Sequence, residues 1–284
     1  MISDVPPHPS PPHLCTAGIF FFWQIGAVRY LLDHFEGVCR MPMIGASAGA
    51  LVTTLTACSV PPERTVLSAY RLGLEYDLWE RPLGLAGVWG DLLRDWLKEL
   101  LPEDAHVHCS HRTTLAVTRL PSMAVCGFDS FSDKEDLIEA VMASVHVPFV
   151  LDFKPWARFR GERAMDGSVV EFLSGGKVAS YMPFFDPKTQ TGLDLDYFHD
   201  EELQWNRADF ITLRTYEEVV MLYAQGYECA RRMDLEGRSG VFAHLTRREK
   251  PLQHGRPDTV GLLREGEKIR RAMEEGKRNG EKVL

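Results

Sequence analysis

Ser47 stands between Gly45 and Gly49 in MIGASAGALV, residues 43–52. A serine so spaced serves as a nucleophile where a strand turns sharply into a helix, because the turn lifts its hydroxyl clear of the sheet and the glycines leave room for it. The surroundings suit such a turn: the apolar run GVCRMPMIG precedes it and the small-residue segment SAGALVTTLTAC follows. The start of that helix would leave backbone N–H groups unpaired, Ala48's among them, beside an oxyanion forming at Ser47. The same residues also fit a plain strand-to-helix corner.

A serine nucleophile needs a base. His146, His199, His244 and His254 lie downstream, and an order of serine, acid and histidine is that of the α/β-hydrolases. Those enzymes build several strands before the elbow, whereas only about one strand can precede Ser47. Asp166, in AMDGS, is the better partner. A carboxylate at a strand end, followed by a glycine (Gly167) that can take φ > 0, is aimed by its turn and not by a flexible stem. Such a group acts as a base within hydrogen-bond reach, weakly at a pKa near 4 unless burial raises it. Taken alone, an Asp-Gly is ordinarily a hairpin turn.

The elements that must hold these residues alternate. LCTAGIFFF reads as a buried strand running into a helix near Trp23 to Phe35, with FFFW as core strand and pocket wall; a second strand and the helix after Ser47 follow. That order predicts a three-layer α/β/α domain with a mostly parallel central sheet. Pro61 and Pro62 open a helix to about Tyr76, and Trp89, Leu92, Leu93, Trp96, Leu97, Leu100 and Leu101 mark an amphipathic one, assigned to core packing over a lipid surface. TTLAVTRL and SMAVCGF are strands, DKEDLIEAVMASV is a helix capped by Ser132 or Asp133, and FKPWARFRGERAM is a hairpin turning at Arg160-Gly161. A strand KVASYMPF, a helix over about Tyr216 to Leu235 and a charged, solvated tail close the chain. The domains read as a disordered proline-rich start (1–13), one α/β domain (14–240) and a charged extension (241–284).

The ordered set of motifs resembles the patatin-like phospholipase family. A strand with a glycine-containing loop, GASAG at the next strand-helix turn, then DLIEAVMASVHVPF and MDGS carry the likeness over residues 14 to about 172, with a weaker echo in YAQGYECARRM. The resemblance implies a Ser-Asp dyad, with Ser47 as nucleophile and Asp166 as base, and an acyl-enzyme cleared by water. It implies an oxyanion hole from the backbone near Ala17, Gly18 and Ala48, with Gly45, Gly49 and Gly167 as motif glycines. It also implies glycerolipid or phospholipid substrates and no metal or nucleotide cofactor. The chain departs from the family pattern at Thr16 and Phe21, which stand at glycine positions of that loop, and at Ser168, which follows the Asp-Gly. A glycine-poor loop leaves a second reading open, a catalytically weak patatin fold that binds lipid or regulates a partner.

Composition excludes other classes. A net charge of -8 and the absence of a Lys/Arg cluster argue against nucleic acid and against a polybasic membrane anchor. Cys15, Cys39, Cys58, Cys109, Cys126 and Cys229 form no CxxC pair and read as reduced core residues. His106, His108, Cys109 and His111 in AHVHCSH are a weak ligand pattern, read as a surface turn at a strand edge and not as a metal site. With no apolar run able to span a bilayer and no secretory signal, the expected location is the cytoplasm or the periphery of an intracellular membrane or lipid droplet.

Overall fold

A computed structural model describes residues 13–14, 18–170, 200–203, 212–237, 242, 245–252 and 256–279, with backbone only at 13, 14 and 279. The elements near the site are β1 (His13–Leu14), α1 (Phe21–His34), β2 (Met43–Ala46), α2 (Ala48–Ala57), α3 (Pro62–Glu75), α4 (Trp89–Leu100) and α5 (Ala105–Cys109). They are followed by β3 (Thr113–Leu120), β4 (Ala124–Phe128), α6 (Lys134–Ser144), β5 (Ala157–Phe159), β6 (Glu162–Asp166), α7 (Tyr216–Leu235) and α8 (Thr259–Asn279). Helices pack on a central sheet in the expected α/β/α arrangement. Its first three strands run parallel in the order β1-β2-β3, while β4, β5 and β6 pair antiparallel.

The register along β3 decides where the site forms. Leu115 and Ala116 pair with β2 (Gly45 and Ala46) and with β4 (Phe128 and Gly127), so β2 and β4 occupy opposite edges of β3. Further on, Val117, Thr118 and Arg119 pair with β4 again and with Asp166, Met165 and Ala164 of β6. Since β4 is continuous along one edge, β2 and β6 share the other and meet end to end. The C-terminal residue of β2, Ala46, lies opposite Ala116, and that of β6, Asp166, lies opposite its neighbour Val117. Two segments 120 residues apart thus bring Ser47 and Asp166 to one point.

The helices follow from local signals. Pro62 starts α3, Asp133 caps α6 by accepting the Asp136 N–H at 2.8 Å, and Arg160 and Gly161 turn the β5-β6 hairpin at φ 46° and 81°. α2 packs on β2 and β3, and α6 on β3, β5 and β6. Leu92, Leu93, Trp96, Leu97 and Leu100 of α4 are all buried, as core packing requires. α1 and α7 cross at Gly26 and Gly226, where a β-carbon on either would strike the other helix's backbone within 2 Å, at Tyr223 O or Trp23 O.

Four expectations change. FFFW is helical, not strand: Gly18 at φ 48° turns the chain, a short helical turn covers Gly18–Phe20, and α1 begins at Phe21. An apolar run of that length is ambiguous between the two periodicities, and the left-handed glycine decides it. Among the described residues the strand comprises His13–Leu14, so sheet pairing already includes His13, inside the segment assigned to the disordered start. AHVHCSH is not a strand edge, since its first five residues form α5 with Cys109 buried. The charged tail is not wholly solvated: α8 docks on α3 and α7, burying Leu262 and Met273, with the Leu262 carbonyl accepting the Tyr216 hydroxyl at 2.9 Å. Cys39, Cys58, Cys109, Cys126 and Cys229 are free thiols, two of them buried and three half-buried. KVASYMPF, Cys15, His199, His244 and His254 lie outside the described residues.

Candidate active site

Ser47 is the turn residue between β2 and α2 and holds φ 55°, ψ -128°, a region that costs a residue with a β-carbon of order 1–3 kcal/mol. Such a conformation persists only when neighbours enforce it. A β-carbon on Gly45 would lie 2.4 Å from the Gly49 carbonyl, so β2 and the first turn of α2 approach too closely for any side chain at Gly45. From a third side, the Ser144 hydroxyl accepts the Ser47 N–H at 3.2 Å and donates to the Ala116 carbonyl at 2.7 Å.

Asp166 is held by the same neighbours. Its N–H donates to the His146 carbonyl at 2.9 Å, its carbonyl accepts the Thr118 hydroxyl at 2.9 Å, and the Gly167 N–H donates to the Ser144 carbonyl at 3.2 Å. Gly167 serves by close approach and not by a positive φ: a β-carbon there would lie 2.1 Å from Ala116 O. The turn is therefore aimed by its packing on β3, which corrects the expected reason for the glycine.

The Asp166 side chain is buried, and burial pushes its pKa above the usual carboxylate range, against the opposing pull of hydrogen bonds from Ser168 and Ser47. Its Oδ1 accepts the Ser168 N–H at 2.8 Å and also the Ser168 hydroxyl. Its Oδ2 is buried and has no hydrogen-bond partner among the described residues, and the Ser47 hydroxyl lies near enough to the carboxylate to favour its charged form. A basic oxygen with a spare lone pair beside a serine hydroxyl can take its proton, and such contacts commonly tighten only with substrate bound.

Ser168 is thus a direct partner of the carboxylate and more than a small filler after the Asp-Gly. Its hydroxyl stabilises the charged form, so Ser168→Ala is expected to raise the Asp166 pKa further, with the ionised carboxylate appearing only at higher pH. Titration of the Asp166 carboxyl carbon by NMR in both proteins checks this; a midpoint that stays or moves to lower pH contradicts the role of Ser168.

Of the expected backbone donors, the Ala48 and Gly18 N–H groups have no hydrogen-bond acceptor among the described residues. Gly18 takes φ 48°, the left-handed value that excludes most side chains, while Phe21 sits in ordinary helical backbone as the first residue of α1. Gly18 is thus a glycine that its backbone requires, and the replacement at Phe21 costs nothing in conformation. Ala17 and Thr16 lie outside the described residues. His146, the one of the four relay candidates among the described residues, is buried, with Nε2 at 3.2 Å from the Lys154 carbonyl and Nδ1 at 4.0 Å from Asp152, so both ring nitrogens have neighbours outside the Ser47–Asp166 pair.

An apolar cavity of about 120 Å³ lies among α1, α2, α3, α4 and α7. Its walls include Gly18, Phe21, Phe22, Leu51, Leu85 and Trp89. Ser47 and Asp166 do not line it, but Gly18 does, and Leu51 follows Ser47 by one turn on the same side of α2. The aromatic run predicted as pocket wall takes that position from a helix. Sequence reasoning missed Ser144 and the Ala116 carbonyl, for which no local pattern exists.

Fold and site define an α/β class with a serine elbow facing a buried acid. The family model for Patatin-like phospholipase matches residues 17–173, more than half of the chain, and the chain belongs to that family. It is 29% identical over 166 residues to an Omega-hydroxyceramide transacylase of Mus musculus, covering 56% of this chain and 27% of the relative. It is 30% identical over 178 residues to the 1-acylglycerol-3-phosphate O-acyltransferase PNPLA3 of Homo sapiens, covering 59% of this chain and 36% of that one. With Patatin-like phospholipase domain-containing protein 4 of Homo sapiens it shares 24% over 193 residues, 63% of this chain and 76% of the relative. The chain spans well under half the length of the first two of these relatives.

Proposed function

We propose that this protein is a serine lipid acyl hydrolase that cleaves fatty acyl esters of glycerolipids through Ser47 and Asp166. The observation that carries the reading is the end-to-end meeting of β2 and β6 on β3, which sets a strained serine beside a buried carboxylate with one unengaged oxygen. Ser47 Oγ attacks the ester carbonyl as its proton passes to Asp166 Oδ2, and the Ala48 and Gly18 N–H groups, with Ala17, receive the oxyanion. The leaving alkoxide takes the proton, an acyl chain remains on Ser47, and water activated by Asp166 releases the fatty acid. An alcohol acceptor in place of that water gives acyl transfer, the chemistry in the names of two relatives. The cavity beside Gly18 and Leu51 receives the acyl chain.

The substrate reaches this site from a lipid surface. No helix among the described residues is long and apolar enough to cross a membrane. Leu83 and Phe149, 65% and 62% exposed, and Phe153 stand on two loops joined by the Gly87 N–H to Val150 carbonyl bond, and the first loop also supplies Leu85 to the cavity wall. Apolar surface therefore continues from solvent to cavity. Release of fatty acid from phospholipid vesicles and from triacylglycerol emulsions, compared with turnover of a soluble short-chain ester, tests both parts. The double variant Leu83→Ser/Phe149→Ser is expected to lose on the order of ten-fold on the dispersed lipids while keeping soluble-ester turnover within about two-fold. Equal loss on both substrates argues against surface docking, and no fatty acid from any of them argues against the activity.

A further inference from the structure

We infer that Ser144 is a positioning residue of the Ser47 elbow. The inference rests on Ser47 as nucleophile and concerns a side chain that makes no contact with substrate. Ser144 is the last residue of α6 and is fully buried. Its hydroxyl has one proton to give and lone pairs to receive, and both capacities are used across separate elements. It accepts the N–H of Ser47 at 3.2 Å and donates to the carbonyl of Ala116 on β3 at 2.7 Å. Its own carbonyl accepts the Gly167 N–H at 3.2 Å. One residue therefore touches the backbone of the nucleophile turn, the central strand and the turn that carries the base.

The bond to Ser47 N–H has a particular consequence. The backbone of Ser47 is in a strained conformation, φ 55°. Helix propagation cannot hold its N–H, because a residue preceding the first turn has no acceptor four residues back along the helix. Ser144 supplies the acceptor from α6 and thereby fixes the rotation of the Ser47-Ala48 turn, which sets both the aim of Oγ at Asp166 and the direction of the Ala48 N–H. Losing the hydroxyl leaves a buried N–H and the buried Ala116 carbonyl without it, and lets the turn relax towards ordinary dihedral angles. The nucleophile would remain present but misaimed, so the loss falls on the chemical step and spares substrate binding.

The test is the rate of covalent modification of Ser47 by a fluorophosphonate, measured with kcat and KM on a soluble short-chain ester, for wild type, Ser144→Ala, Ser144→Thr and Ser144→Cys. Ser144→Ala is expected to slow labelling and lower kcat by on the order of ten-fold or more with KM within about two-fold, while Ser144→Thr, which keeps the hydroxyl, recovers much of the rate. Should Ser144→Ala fail to fold, Ser144→Cys takes its place as a near-isostere with a weak acceptor, and a slower labelling rate is expected there. A folded Ala or Cys variant labelled at the wild-type rate overturns the assignment, as does a loss confined to KM. If wild type is labelled at Ser47 whatever Ser144 does, the dyad reading stands alone; if wild type is not labelled there, that reading fails first and takes this one with it.

Discussion

In Ser47→Ala, ester hydrolysis is expected to fall by about 10⁴-fold or more, to the background that an oxyanion site and substrate binding alone can support. The side chain is removed at its β-carbon, so the elbow and its bonds to Ser144 through the Ser47 N–H remain possible and the fold is expected to persist. Alanine also tolerates the left-handed backbone no worse than serine. Substrate binding depends on the cavity walls, which Ser47 does not line, so association with lipid dispersions is expected to stay near that of wild type. Fatty acid release and vesicle co-sedimentation measured on the same preparation check both parts. Hydrolysis retained at wild-type level places the nucleophile elsewhere.

Asp166→Asn is expected to cost on the order of 10³-fold in kcat, with a folded chain. The amide keeps the shape of the carboxylate and can still accept from Ser168 through its oxygen, but it offers Ser47 no basic oxygen. Because burial raises the pKa of Asp166, its working form is lost on acidification at a pH above the usual carboxylate range of about 4. Wild-type activity is therefore expected to climb with pH through that raised value, and the acid limb is expected to vanish in Asp166→Asn. A kcat/KM profile for both proteins checks this. An unchanged limb in the variant assigns the titration to another group.

The elbow was legible because it is local. Gly45, Ser47 and Gly49 sit within five residues, bounded by an apolar strand and a small-residue helix, and at Gly45 the close approach of Gly49 O leaves no room for a side chain. The β5-β6 hairpin, the cap at Asp133 and the apolar stripe of α4 were legible for the same reason. Register was not. That Ala46 and Asp166 face adjacent residues of β3 depends on pairing between segments with over a hundred residues between them, which no window of sequence contains. Ser144 was invisible in consequence, since a lone serine at the end of a helix gains its partners from β2, β3 and the Asp166 turn only after they assemble. FFFW was misassigned because four aromatic residues have no period, and the deciding feature, Gly18 at positive φ, lies outside the run. The docking of α8 was missed because a charged helix with two widely spaced anchors, Leu262 and Met273, carries little apolar signal.

If the proposed activity holds, Ser47 is the residue that carries the acyl group. Mapping of the site modified by a fluorophosphonate, by peptide mass spectrometry of the full chain, tests it most directly. One label per chain is expected, on the peptide containing Ser47, absent in Ser47→Ala and slowed in Asp166→Asn. Stoichiometric label on another residue, or a folded chain that takes no label at all, would contradict it.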